Sequence, residues 1–264
     1  MTAILTTKRL CMHFGGIKAV TDLNLSVEQG SITALIGPNG AGKTTVFNVL
    51  TGVYEPTFGE IDFCGHALGK LKPHEVTRLG IARTFQNIRL FKNLTVLENV
   101  RIALDIRNGR GVWQSLVVTP GFDQSEKKSH VEALQLLEIF NLADRAMEVA
   151  KNLPYGDQRR LEMARALACD AKLLLLDEPA AGLNNQETNS LMAVIQNIRK
   201  QFSMTILLIE HDMKLVMGIS EKIIVLDYGV KIAEGKPEQI RDDPAVIEAY
   251  LGKPPKEVSA EVVL

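Results

Sequence analysis

The stretch Gly37-Pro38-Asn39-Gly40-Ala41-Gly42-Lys43-Thr44 constrains this chain more than any other, because it fits GxxxxGK[ST] at every fixed position. It falls between an apolar run, Ile32–Ile36, that reads as a strand buried on both faces, and a segment, Lys43–Leu50, that reads as a helix. That context gives the motif a mechanism. Glycines let the backbone wrap closely around phosphate oxygens, so that several N–H groups converge on them. A helix starting near Lys43 aims the positive end of its dipole at the same point. Lys43 is then placed to neutralise β- and γ-phosphates, and the Thr44 hydroxyl to ligate Mg²⁺.

A second element, Leu173-Leu174-Leu175-Leu176-Asp177-Glu178, makes sense as a strand covered on both sides with two carboxylates at its C-terminal end. Asp177 is the candidate metal holder, directly or through water. Glu178, one step further out, is the candidate for orienting and deprotonating an attacking water.

Around these motifs the chain alternates. Residues 2–14 and 23–27 read as strands, Gln29-Gly30 as a turn and residues 60–64 as a further strand. Over residues 73–167 the pattern is helical: Val131, Leu134, Leu137 and Leu142, joined by Leu136 and Phe140, make one apolar stripe, and residues 158–167 repeat that signature. Strands at 173–176, 205–209 and 222–226, with a helix at 184–200, resume the alternation begun at residues 31–50. A parallel α/β core with an inserted helical subdomain is the expected architecture.

Composition narrows the class. The 264 residues amount to just under two domains at ~150 residues each, and 46% hydrophobic with 23% charged residues describes a globular chain. Thirty basic against 31 acidic residues leave a net charge of −1, too balanced for a bulk nucleic-acid binder. Cys11, Cys64 and Cys169 form no CxxC pair and read as reduced, buried thiols in a cytoplasmic compartment. The opening MTAILTTKRL lacks the apolar stretch of a signal peptide, and no window reaches the ~18 apolar residues of a membrane span.

Further motifs occur in order. Leu153-Pro154-Tyr155-Gly156-Asp157-Gln158-Arg159-Arg160 resembles the signature sequence of ABC ATPases. Gln86 in Thr84-Phe85-Gln86 resembles the Q-loop, Ala181-Gly182-Leu183-Asn184 the D-loop, and His211 in Ile209-Glu210-His211-Asp212 the switch histidine. Phe14 matches the aromatic A-loop position that stacks on adenine. Arg83-Thr84-Phe85-Gln86, Tyr155-Gly156, Glu178-Pro179-Ala180-Ala181-Gly182-Leu183-Asn184 and Ala249-Tyr250-Leu251-Gly252 are similar to one branch, the LivG-type ATP-binding subunits of branched-chain amino acid importers.

That resemblance implies a P-loop NTPase of the ABC cassette type. Its RecA-like parallel-sheet core and N-terminal antiparallel β subdomain would occupy about 1–85 and 170–235, its inserted α-helical subdomain about 86–169, all within one domain at 1–252 followed by a tail at 253–264. It implies ATP bound by Phe14, Gly37, Pro38, Asn39, Gly40, Ala41, Gly42, Lys43, Thr44 and Thr45, with Mg²⁺ at Thr44, Gln86 and Asp177. Glu178, His211 and Gln86 would be catalytic, and Tyr155, Gly156 and Asp157 would contact the ATP of a partner subunit in trans. The implied activity is ATP hydrolysis that powers uptake of branched-chain amino acids at the cytoplasmic face of the inner membrane. The implied partners are two transmembrane permease subunits, an extracytoplasmic binding protein and a second ATPase subunit, either another copy or a LivF-type chain. Nucleic acid is not among them. The alternatives are the ATPase of a lipopolysaccharide-type exporter or of a urea or amide importer. A small-molecule kinase would share the phosphate cradle but lack the signature and the switch histidine.

The signature departs from LSGGQ: Pro154 replaces the serine, Tyr155 the first glycine and Asp157 the glutamine. Pro154 removes a hydroxyl from the γ-phosphate, Asp157 adds negative charge near it, and Asn184 stands where many relatives have aspartate. His13, His66, His74 and His130 have no metal-site spacing. Lys127-Lys128 and Arg159-Arg160 read as solvated faces or local ion pairs. Trp113, within the irregular segment 108–124, reads as packing on the helical subdomain or touching a membrane subunit.

Overall fold

A computed structural model describes residues 2–107 and 122–251. Trp113 and the tail at 253–264 lie outside the described residues. The N-terminal region forms a four-stranded antiparallel sheet in the order β2-β1-β4-β5, built from β1 (Ala3–Phe14), β2 (Ile17–Glu28), β4 (Phe58–Phe63) and β5 (His66–Ala67).

The second sheet has six strands, β10-β9-β3-β8-β7-β6. They are β3 (Ile32–Ile36), β6 (Ile81–Arg83), β7 (Leu173–Asp177), β8 (Thr205–Ile209), β9 (Lys222–Asp227) and β10 (Val230–Gly235). All neighbours pair in parallel except β10, which runs antiparallel to β9. Every residue of β3, β7 and β8 is buried, because both faces of this sheet are covered. Period-two alternation divides them. Leu174, Leu176, Ile206 and Leu208 enter one hydrophobic cluster with the large helices; Leu173, Leu175, Leu207 and Ile209 enter another with α1 (Lys43–Leu50) and the antiparallel sheet. The four-leucine run thus contributes two side chains to each face.

After α2 (Pro73–Leu79), helices α3 (Val96–Arg107), α4 (Phe122–Ile139) and α5 (Tyr155–Ala168) pack on one another, and α6 (Asn185–Phe202) and α7 (Met213–Ile219) lie against the sheet side of the same cluster. The expected α/β architecture is present, with local differences. β6 interrupts the stretch expected to be helical, since its three residues are too few to show a period, yet they extend the sheet beside β7. Val131 is 54% exposed and does not join the apolar stripe; Leu142 is fully buried although it lies past the end of α4. Cys11 is buried as expected, but Cys64 is exposed in a turn with φ 52°. Among the described residues no helix is long and apolar enough to cross a membrane.

Candidate active site

The phosphate-cradle sequence forms the turn from β3 into α1. Gly37 needs both its φ of 150° and its lack of a side chain, since a Cβ there would overlap the Leu226 carbonyl. Gly42, at φ 97°, occupies the N-cap of α1, and no side chain caps that end. A helix start left open in this way presents its first N–H groups and its dipole to an anion. Lys43 is buried, and its Nζ donates to the carbonyl oxygens of Gly37 (2.7 Å) and Pro38 (2.9 Å). Burial pushes its ammonium below the usual lysine range, against the opposing pull of Glu178 and Asp177. The loop borders a cleft of about 400 Å³ lined by Asn39 to Thr45, by Ile17, Lys18 and Ala19 of β2, and by Glu178 and Tyr228.

Glu178 follows β7 with φ 49°, a left-handed backbone unusual for glutamate, held by its N–H donating to Ile209 O (2.9 Å). This turn aims the carboxylate at two other predicted site residues. Gln86 Nε2 donates to Glu178 Oε2 at 2.7 Å, and His211 Nε2 lies 3.1 Å from Glu178 Oε1. Three residues far apart in sequence therefore meet at the edge of the phosphate cleft.

Asp177, buried at the end of β7, makes a 2.7 Å ion pair with Arg83. Arg83 also donates to Asn48 Oδ1 (2.7 Å) and lies against the Phe47 and Phe85 rings. Among the described residues no group of three or more His, Cys, Asp or Glu gathers into an all-protein metal cage. The Thr44 hydroxyl and the Asp177 carboxylate are instead the sparse oxygen donors that suit Mg²⁺ shared with phosphates.

The predicted contacts are not all together. Phe14 does not line the cleft; its ring packs edge to face against Tyr54, 5.2 Å between centroids. Tyr155 and Gly156 open α5, with Pro154 at the N-cap and no side-chain cap. Asp157 is buried and paired with Arg160 and with Arg145 (3.2 Å), so its charge is compensated rather than projected outward. Asn184 caps α6 by accepting from the N–H groups of Gln186 and Glu187, a role any short polar acceptor there would fill.

Two features escaped the sequence reading. Glu210 is buried between the loop after β7 and the His211 turn, and accepts from the N–H groups of Ala180 (2.7 Å), His211 (2.9 Å) and Asp212 (3.2 Å). Burial still pushes its carboxyl up, opposed by those three donors. Arg159, expected at a solvated face or in a local ion pair, is buried and pairs with Glu162. It donates to the carbonyls of Phe85 (2.7 Å) and Gln86 (2.5 Å) and to the Tyr155 hydroxyl (2.7 Å). Glu162, one turn on, accepts from the N–H of Arg89 (3.1 Å) and of Phe85 (3.4 Å), and burial raises its pKa. The α5 helix thus grips the backbone of the Gln86 loop with two side chains that also pair with each other at 3.8 Å. The i,i+3 spacing of Arg159 and Glu162 was the available signal, and Asp157, Arg160 and Arg165 on the same helix masked it. Arg159→Met is expected to lower stability by about 3–5 kcal/mol, as when one partner of a buried pair is removed. Combining it with Glu162→Leu should cost less than the two single changes together, which chemical denaturation of the three variants checks.

A glycine loop capping an open helix, beside a strand-end carboxylate pair met by a glutamine and a histidine, defines a nucleotide-hydrolysing cassette, and the chain belongs to the ABC transporter family, whose model matches residues 20–181. A second match, to the branched-chain amino acid ATP-binding cassette transporter family, covers residues 230–256. The chain is 49% identical over 250 residues to the high-affinity branched-chain amino acid transport ATP-binding protein BraF of Pseudomonas aeruginosa, spanning 95% of this chain and 98% of that protein. It is 48% identical to the corresponding LivG protein of Escherichia coli over the same shares. Its fold superposes on the crystal structure of an ATP-binding cassette of an ABC transporter in its ADP conformation with a TM-score of 0.82, at 30% identity, covering 96% of this chain and all of that one.

Proposed function

We propose that this chain binds ATP with Mg²⁺ in the cleft around Lys43 and hydrolyses it to energise uptake of branched-chain amino acids through partner membrane subunits. The observation that carries this reading is the meeting of Gln86, Glu178 and His211 at the rim of the same cleft that the phosphate loop borders. The match at residues 230–256 favours the amino acid importer over the exporter and urea or amide alternatives.

In this reading the loop N–H groups and Lys43 hold the β- and γ-phosphates, and Glu178 takes a proton from the attacking water. His211 and Gln86 fix the carboxylate and the water between them. Thr44, Gln86 and Asp177 would hold Mg²⁺, which when bound would supply positive charge to the phosphates. The start of α5, at Tyr155 and Gly156, offers its N-terminus to the γ-phosphate held by a second ATPase subunit, another copy or a LivF-type chain. Phe14 remains a proposed adenine contact from the family pattern, with its ring lying against Tyr54.

We take residues 1–252 as one cassette and α3 to α5 as its helical subdomain. That subdomain would transmit closure to two permease subunits, with the chain peripheral at the cytoplasmic face of the inner membrane and an extracytoplasmic protein delivering substrate. The test is phosphate release by the reconstituted complex. Leucine, isoleucine or valine with the binding protein should stimulate it severalfold, and a complex stimulated by none of them contradicts the assigned cargo.

A further inference from the structure

The cleft beside Lys43 has one aromatic side chain on its wall among the described residues, and it is Tyr228 rather than the expected Phe14. Tyr228 and Gly229 form the two-residue turn of the β9–β10 hairpin, where Asp227 pairs with Val230. Both turn residues have positive φ, 43° and 79°. That is the backbone of a type I′ turn, whose first position favours Asn, Asp or Gly. A bulky tyrosine there is strained. It also gains nothing from packing, being 86% exposed.

The turn itself is held firmly. Gly229 N–H donates to Ala41 O of the phosphate loop (3.0 Å), and Thr21 N–H donates to Gly229 O (2.8 Å). A Cβ on Gly229 would sit 2.6 Å from the Ala19 carbonyl oxygen. The hairpin tip is therefore locked to the phosphate loop on one side and to β2 on the other, and Tyr228 is the part that projects. A strained residue on a rigid mount, unused by the core, points to a ligand.

We propose that Tyr228 is a base-contacting residue of the nucleotide site: its ring covers the flat heterocycle of the nucleotide whose phosphates the Lys43 loop holds. The assignment rests on the ATP reading of this cleft. Aromatic rings stack on any base face, so the contact adds affinity for nucleotides over bare phosphates.

The test is titration calorimetry of the purified chain with MgATP and with magnesium tripolyphosphate, which carries the phosphates without a base. Tyr228→Asn should weaken ATP binding about tenfold, a typical loss for one stacking contact, and leave tripolyphosphate binding unchanged. Tyr228→Phe, which keeps the ring, should restore ATP affinity. Because asparagine suits the left-handed turn, the Asn variant should melt at the same temperature as the parent chain or higher. ATP binding by Tyr228→Asn equal to that of the parent overturns the assignment, as does an equal loss for tripolyphosphate, which would place the effect in the phosphate loop. A parent chain that binds no ATP at all would instead sink the reading of the cleft.

Discussion

Glu178→Gln is expected to slow phosphate release by about 10²–10⁴-fold, the usual contribution of a general base, while ATP affinity stays within a small factor of the parent. The geometry makes this a clean substitution. Gln86 donates to one carboxylate oxygen and His211 approaches the other. A glutamine can keep its carbonyl toward Gln86 and turn its amide toward His211, which can accept at Nε2 in the tautomer that carries its proton on Nδ1. Shape and contacts persist; the negative charge and the ability to take a proton do not. The left-handed backbone at Glu178 is held by its own N–H to Ile209 O, which the change does not touch. With binding intact and hydrolysis stalled, two ATPase subunits clamped on ATP should accumulate as a stable pair. Single-turnover phosphate release and size-exclusion chromatography with ATP read the two effects separately. Unchanged phosphate release in this variant removes Glu178 from the role of base.

How much of this was legible beforehand follows the distance over which each feature is decided. The bounds of β3, α1 and β8 could be read from local pattern, because burial on both faces demands continuous apolar residues and the phosphate loop demands glycine at set positions. The partners of Glu178 could be named only through family resemblance, since nothing local to Gln86 or His211 says that they meet it. β6 was invisible because three residues carry no period, and its strand state comes from pairing with Leu173, Leu174 and Leu175. Arg159 was legible only as a solvated face or a local ion pair, and Glu162 not at all, because their partners are backbone atoms of the Gln86 loop, more than seventy positions away in sequence. Asp157 looked like a charge facing phosphate, and Arg145 from outside the signature takes it up instead. Tyr228 gave a signal that was there to be read: a tyrosine directly before a glycine in a tight hairpin, where asparagine would be at ease.

Lys43→Ala should reduce ATP affinity by at least about a hundredfold, because two or more charge-assisted hydrogen bonds to phosphate oxygens, at ~1.5–3 kcal/mol each, disappear together. The position of Nζ supports an effect of this size. It is buried, turned inward onto the Gly37 and Pro38 carbonyls, and its ammonium is disfavoured by desolvation more than it is favoured by Glu178 and Asp177. A buried cation with two neutral acceptors is under-compensated, and incoming phosphates would supply the missing negative charge. Alanine removes the cation but leaves the glycine turn and the open start of α1 in place, so residual binding should come from those N–H groups alone. Calorimetric titration with MgATP measures the loss. Circular dichroism of the variant should match the parent, because the side chain bridges only atoms of its own loop. Affinity retained within tenfold would mean that the phosphates lie elsewhere, and the proposed roles of Thr44, Asp177 and Glu178 would fall with that of Lys43.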